Sequence, residues 1–165
     1  MCADDADGPA RMPSEFIRRG HPWPYLIAAW QAVEDVLREP APARPARLAL
    51  LADGVLIVNP ADRITHVYRR PTLIGASSRD LRGQLLVDSF PRELVAGWHQ
   101  TMEDAVALGA SLPMNYALWI DRYAAYVVRT ALVVPSPEPR AHVALLIWHR
   151  GLRGIGNGEW AEPTV

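Results

Sequence analysis

The sequence of 165 residues predicts an α+β fold: a five-stranded antiparallel sheet with short helices and one long helix on one face, and an amphipathic helix ahead of it. Three observations lead to that class. A single long helical stretch, entered at Pro91 and closed at Gly109, carries a clean apolar face. Two late runs, Tyr123 to Val134 and Ala141 to His149, are apolar on both parities, which is the pattern of strands covered on both sides. Finally, Leu26, Trp30, Val33 and Leu37 recur at helical spacing just before a proline-rich stretch.

Composition narrows the function classes. Half of the residues are apolar and the net charge is −1, which leaves no electrostatic footprint for a nucleic-acid backbone or an anionic membrane. Every basic residue is arginine, so Schiff-base chemistry and a phosphate-loop lysine are excluded. The single Cys2 cannot form an internal disulfide, and the acidic start Met1-Cys2-Ala3-Asp4-Asp5 is unlike a signal peptide. With no apolar run near the ~18 residues of a membrane span, a cytoplasmic protein is expected.

The elements follow in order. Residues 1–20 read as a disordered tail, polar and broken by Gly8, Pro9 and Pro13. Residues 21–46 hold the amphipathic helix, at 24–38, and a spacer from Glu39 to Pro45 whose prolines favour extended chain. The body, residues 47–150, opens with strands Gly54 to Val58 and Ile64 to Tyr68, joined through Asn59-Pro60-Ala61-Asp62 as a hairpin. Pro71 to Phe90 suits two or three short helical turns. The long helix is expected to take Asp88 or Ser89 as N-cap, with Leu94, Trp98, Thr101, Ala105 and Leu108 on its core face and Met102 at the edge. Leu112 to Ile120 and the two doubly apolar runs complete the sheet, and residues 151–165 read as a flexible tail. One face of the sheet takes the long helix. The other takes the helix at 24–38, from the same chain or a second one.

Two strands, short turns, a long helix and three strands form an order that resembles the PAS (Per-Arnt-Sim) domain. Local segments resemble it too: Arg79-Asp80-Leu81-Arg82-Gly83-Gln84 at the entry to the short helices, Ser89-Phe90-Pro91-Arg92-Glu93-Leu94 at the entry to the long one, and Ala107-Leu108-Gly109 at its end. His21-Pro22, Ala29-Trp30-Gln31 and Leu48-Ala49-Leu50-Leu51 look like the lead-in of a bacterial group of short, stand-alone PAS proteins. The resemblance spans about residues 21–150.

It implies a sensory module but withholds both familiar cofactor chemistries. Where haem-binding relatives place the proximal histidine, this chain has Trp98; His99 lies one residue on and about 100° around the helix, so it is expected to pack on the flank. Where flavin photosensors carry an Asn-Cys pair, this chain has Leu85-Leu86. Cofactor identity therefore stays open. No metal site is expected from the scattered His21, His66, His142 and His149, and Gly154-Ile155-Gly156-Asn157-Gly158 has no helix after it to make a phosphate loop.

The remaining candidate is a ligand pocket between long helix and sheet, with Trp98, Met102, Tyr116, Tyr126, Arg129 and Trp148 as lining or gating residues. Arg129 is the most informative, because a buried arginine requires an acidic partner or an anionic ligand. Leu26, Trp30, Val33 and Leu37 are the candidate helix-docking or dimer residues. The reading is a non-enzymatic regulatory module acting through small-ligand sensing or protein contact, as a homodimer or with a regulatory partner. Its rivals are a pure interaction module without ligand and a cone-shaped isomerase or dehydratase. The latter needs an acid or base inside the cone, and no Asp, Glu or His is expected on the inward faces.

Overall fold

The computed structural model describes residues 23–76, 79–137, 142–154 and 160–161. Helix α1 (Trp23–Arg38) and helix α2 (Arg44–Leu51) precede the hairpin of β1 (Gly54–Val58) and β2 (Ile64–Arg69). A segment of turns leads through the four-residue α3 (Leu86–Ser89) into α4 (Arg92–Leu108). The chain then runs up β3 (Leu112–Ile120), through a 3-10 turn at Asp121–Tyr123, and along β4 (Ala125–Pro135) and β5 (Val143–Gly154), with a two-residue β6 (Trp160–Ala161) pairing back onto β5. Strand order is β2-β1-β5-β4-β3, and every pair is antiparallel. The α+β architecture with a five-stranded sheet is the one expected.

The doubly apolar strands are covered on both sides. On one face, Leu56, Ala131, Val133, Leu145 and Ile147 bury against Leu94, Val95, Trp98 and Ala105 of α4. On the other, Val55, Ile57, Val134, Ala144 and Leu146 bury against Leu26, Trp30, Val33 and Val36 of α1 and Leu48 of α2. The second cover thus comes from the same chain. Apolar area removed from water stabilises by ~25 cal/mol per Å², and α1 has this reward at every turn of its stripe.

Several boundaries differ from expectation. The proline-rich spacer ends early: α2 begins at Arg44, with Pro45 in its first turn, where proline's missing N–H is no loss and its fixed φ suits the helix. The long helix has neither Asp88 nor Ser89 as N-cap. Phe90 and Pro91 are extended, Pro91 takes the cap position, and Ser89 belongs to α3, donating its hydroxyl to the Leu85 carbonyl at 3.0 Å. At the other end Gly109 adopts φ 60° and ends the helix as expected. Leu108, however, is 42% exposed, so burial on this face stops at Ala105, while Val95, near the other end of the helix, is buried as well. β5 continues to Gly154 and meets β6, where a flexible tail was expected. The expected tail at 1–20, and His21-Pro22 of the lead-in, lie outside the described residues.

Candidate functional site

Antiparallel pairing places residues that oppose each other on one face of the sheet. Tyr116 on β3 opposes Arg129 on β4, and Arg129 opposes His149 on β5. The three form a row across the middle of the sheet on the α4 side. The ladder between β4 and β5 shifts register here, from Val128 opposite Gly151 to Arg129 opposite His149, so Arg150 is skipped. A bulge of this kind re-aims side chains locally.

Beyond this row lies a cleft of about 270 Å³ between the sheet, the turns after β2 and the entry to α4. Leu56, Leu73, Leu81, Phe90, Leu118 and Ile147 give it apolar walls. Tyr116 and Arg129 line it together with Arg69 and Arg79, and its described lining contains no aspartate, glutamate or histidine.

Arg129 is 6% exposed. Its Nη2 donates to the carbonyl of Ile74, its Nε is buried without a partner, and among the described residues no carboxylate lies within ion-pair distance of it. The Tyr116 hydroxyl is also buried without a hydrogen bond of good geometry. Burial pushes its pKa up to about 12, against the opposing pull of the Arg129 guanidinium, so it is a phenol and a donor at neutral pH. Trp98 backs the site: its ring meets Phe90 edge-on at 4.9 Å and Tyr116 at 5.5 Å.

The cleft's outer wall is the loop at 70–76. Gly75 sits at φ 71°, and a Cβ there would stand 2.7 Å from Ile120 Cδ1 and 3.4 Å from Arg129 Nη2, so any larger residue is strained where the loop closes over the arginine. The loop is anchored at Arg70. Its guanidinium pairs with Asp53 at 2.9 Å and donates to the Ala49 carbonyl of α2 at 2.9 Å, while Asp53 accepts the His149 backbone N–H at 2.9 Å. Asp53 and Arg70 thus join β5, the cleft loop and α2.

Of the six residues expected at a pocket, the structure brings two, Tyr116 and Arg129, to its lining. Trp98 and Met102 lie in the core behind it. Tyr126 and Trp148 do not belong to it: they have the opposite parity to Arg129 and Ile147. Tyr126 is 43% exposed and meets Trp119 edge-on at 5.0 Å, and Trp148 packs in the core under α1. Counting parity from Arg129 along the same strands separates them.

The same count corrects the expectation that no histidine faces inward. His149 shares its face with Leu145, Ile147 and Arg129, and its two ring nitrogens are buried without partners. Burial, and then the adjacent Arg129, hold its pKa below the ordinary 6.5, partly offset by Asp53. It stands outside the cleft lining.

His99 is on the flank of α4, half-buried, with Nε2 2.8 Å from Asp62 Oδ1, which ties the helix to the β1–β2 turn. Leu26, Trp30 and Val33 are buried against the sheet, and Leu37 is half-buried beside a second, smaller cleft of about 200 Å³. Loop residues Leu73 and Gly75 were missed, because nothing in a turn-rich segment shows which side chains turn inward. Leu118 was legible, since it has the parity of Tyr116.

Among the described residues, no cluster of three or more metal-ligating side chains occurs, and no helix is long and apolar enough to cross a membrane.

No protein-family model matches the chain, and no curated protein matches it. Among solved structures, it is similar to a domain of an HTR-like protein from Haloarcula marismortui, at 18% identity and a TM-score of 0.44 over 58% of this chain and 95% of that one.

Proposed function

We propose that this chain is a non-enzymatic regulatory module, acting in the cytoplasm of a bacterium, that senses a small molecule in the cleft beside Arg129. The observation that carries the reading is the pair of buried hydrogen-bonding groups, Tyr116 Oη and Arg129 Nε, which lie close to each other but make no hydrogen bond of good geometry at the wall of a cleft. Such groups cost about 1–3 kcal/mol each when unsatisfied, and a molecule that reaches them as the loop carrying the Ile74 carbonyl gives way removes that cost. The absence of any acid or histidine from the described lining speaks for binding rather than turnover. The regulatory role rests on the PAS resemblance.

The signal would travel through the loop at 70–76. A ligand reaching Arg129 competes with the Ile74 carbonyl, and Arg70 connects that loop to Asp53 and to the end of α2. Altered docking of α1 and α2 on the sheet is the output. Crystals soaked with a fragment library test the reading. Hits clustering between Leu73, Phe90, Leu118 and Arg129 support it, and hits only at other surfaces refute it.

A second reading, a protein-contact or homodimer module, is favoured by one patch. Trp119, Tyr123 and Tyr126 are 39%, 46% and 43% exposed around the β3–β4 turn, and solvent-facing aromatics of this kind are enriched at interfaces. Sedimentation of wild type and Trp119→Ser/Tyr126→Ser decides it: a dimer dissolved by the double substitution supports this reading, and a monomer in both cases removes the homodimer.

A further inference from the structure

The cleft carries more chemical information than its presence alone. Its described lining holds three arginines and no acid, and one of them, Arg129, is almost fully removed from water with no carboxylate in range. An uncompensated cation in such a place is costly, and it is a strong attractor for an anion that fits. The rest of the wall is apolar: Leu56, Leu73, Leu81, Phe90, Leu118 and Ile147.

We infer, resting on the reading of the cleft as a ligand site, that its ligand is a small organic monocarboxylate with an apolar body, its carboxylate on Arg129 and Tyr116 and its body along Leu73, Phe90 and Leu118. The head group follows from donor geometry. A guanidinium is planar and matches a carboxylate edge, and the nearby Tyr116 hydroxyl, a donor at neutral pH, supplies a third hydrogen bond. One deeply buried guanidinium balances one negative charge. The body follows from the walls and the size: at ~30 Å³ per water-sized group, about 270 Å³ accommodates a molecule on the order of ten non-hydrogen atoms. Medium-chain fatty acids and arylalkanoic acids share this chemistry.

Isothermal titration of the full chain with octanoate, 1-octanol and octylamine separates the possibilities. Wild type is expected to bind octanoate at least tenfold more tightly than octanol, and octylamine not measurably. Arg129→Met abolishes the preference of octanoate over octanol, Tyr116→Phe weakens octanoate several-fold while leaving octanol unchanged, and Leu118→Trp, which fills the cleft, blocks both. If octanol or octylamine binds wild type as tightly as octanoate and Leu118→Trp still blocks it, the carboxylate assignment is overturned while the cleft remains a ligand site. If no probe binds wild type, or if Leu118→Trp changes nothing, the carboxylate assignment is overturned, and the fragment soak decides separately whether the cleft is a ligand site. Should Arg129→Met fail to fold, the Tyr116→Phe comparison decides: equal losses for octanoate and octanol overturn the carboxylate.

Discussion

Arg129 stands directly opposite Tyr116 across the β3–β4 ladder, and the guanidinium and the phenol face the same cleft with hydrogen-bonding capacity unspent. Sheet interiors ordinarily pair such groups off with one another or with a carboxylate. Here the guanidinium lies close enough to pull the phenol's pKa down against burial, yet no hydrogen bond of good geometry joins the two, and apolar side chains and the loop at Gly75 hem them in.

If Arg129 serves a ligand rather than the fold, replacing it with methionine does not destabilise the free protein. An apolar side chain of similar length relieves a buried, unpaired charge and forfeits one hydrogen bond to Ile74, so the melting temperature should stay level or rise by about 2–4 °C. Thermal denaturation of the two proteins checks this, and a large fall would mean that the arginine is structural.

Gly75→Ala should cost more than Gly83→Ala. Both glycines have positive φ, 71° and 82°, and share a backbone penalty of about 1–2 kcal/mol, but a methyl at Gly75 also meets Ile120 while one at Gly83 meets nothing within 4 Å. Urea denaturation of the two variants gives the difference, and octanoate affinity should fall only for Gly75→Ala.

Trp98 is fully buried between Phe90 and Tyr116, and its indole N–H has no acceptor. Trp98→Ala is expected to destabilise by about 3–5 kcal/mol. Trp98→Phe should cost clearly less, because it keeps a ring in place and removes the unsatisfied donor. Equilibrium unfolding that ranked the two equally would contradict this packing.

Acidification should weaken the fold through His149. Its folded pKa is held below 6.5 by burial first and by Arg129 second, so between that lowered value and 6.5 the unfolded chain carries a proton that the folded protein does not. Stability then rises with pH across this window and is lost as pH falls through it, and His149→Gln should flatten the slope. Tyr116 acts at the other end. With its folded pKa raised to about 12, the unfolded chain loses the proton first above about pH 10, so stability declines from there towards 12 and Tyr116→Phe removes that part of the decline. Unfolding free energies measured across both windows check the signs.

The architecture was largely legible because its signals are periodic. The face of α4 and the double parity of β4 and β5 report burial directly, and both faces proved to be covered. What failed was local. Pro45 reads as a helix breaker until it is placed in a first turn, and Leu108 reads as core because periodicity does not show where the neighbouring sheet ends. At the site, Arg129 stood out as the polar interruption of an apolar strand, and Tyr116 was named with it as a lining residue. Tyr126 and Trp148 were grouped with them by residue type, against their own parity. The 70–76 loop was invisible, since its inward turn depends on Arg70, Asp53 and Gly75 acting over tertiary distances.

Hydrogen–deuterium exchange with and without saturating octanoate tests the central claim most directly. Occupancy of the cleft should slow exchange at residues 73–76 and alter it along α2, 44–51, which shares Arg70 and Asp53 with the loop; in Arg129→Met, which keeps the cleft but lacks the guanidinium bound to the Ile74 carbonyl, the change in α2 should not occur. Binding that left exchange in α2 unchanged, or that altered it equally in Arg129→Met, would contradict a sensing site linked to the N-terminal helices.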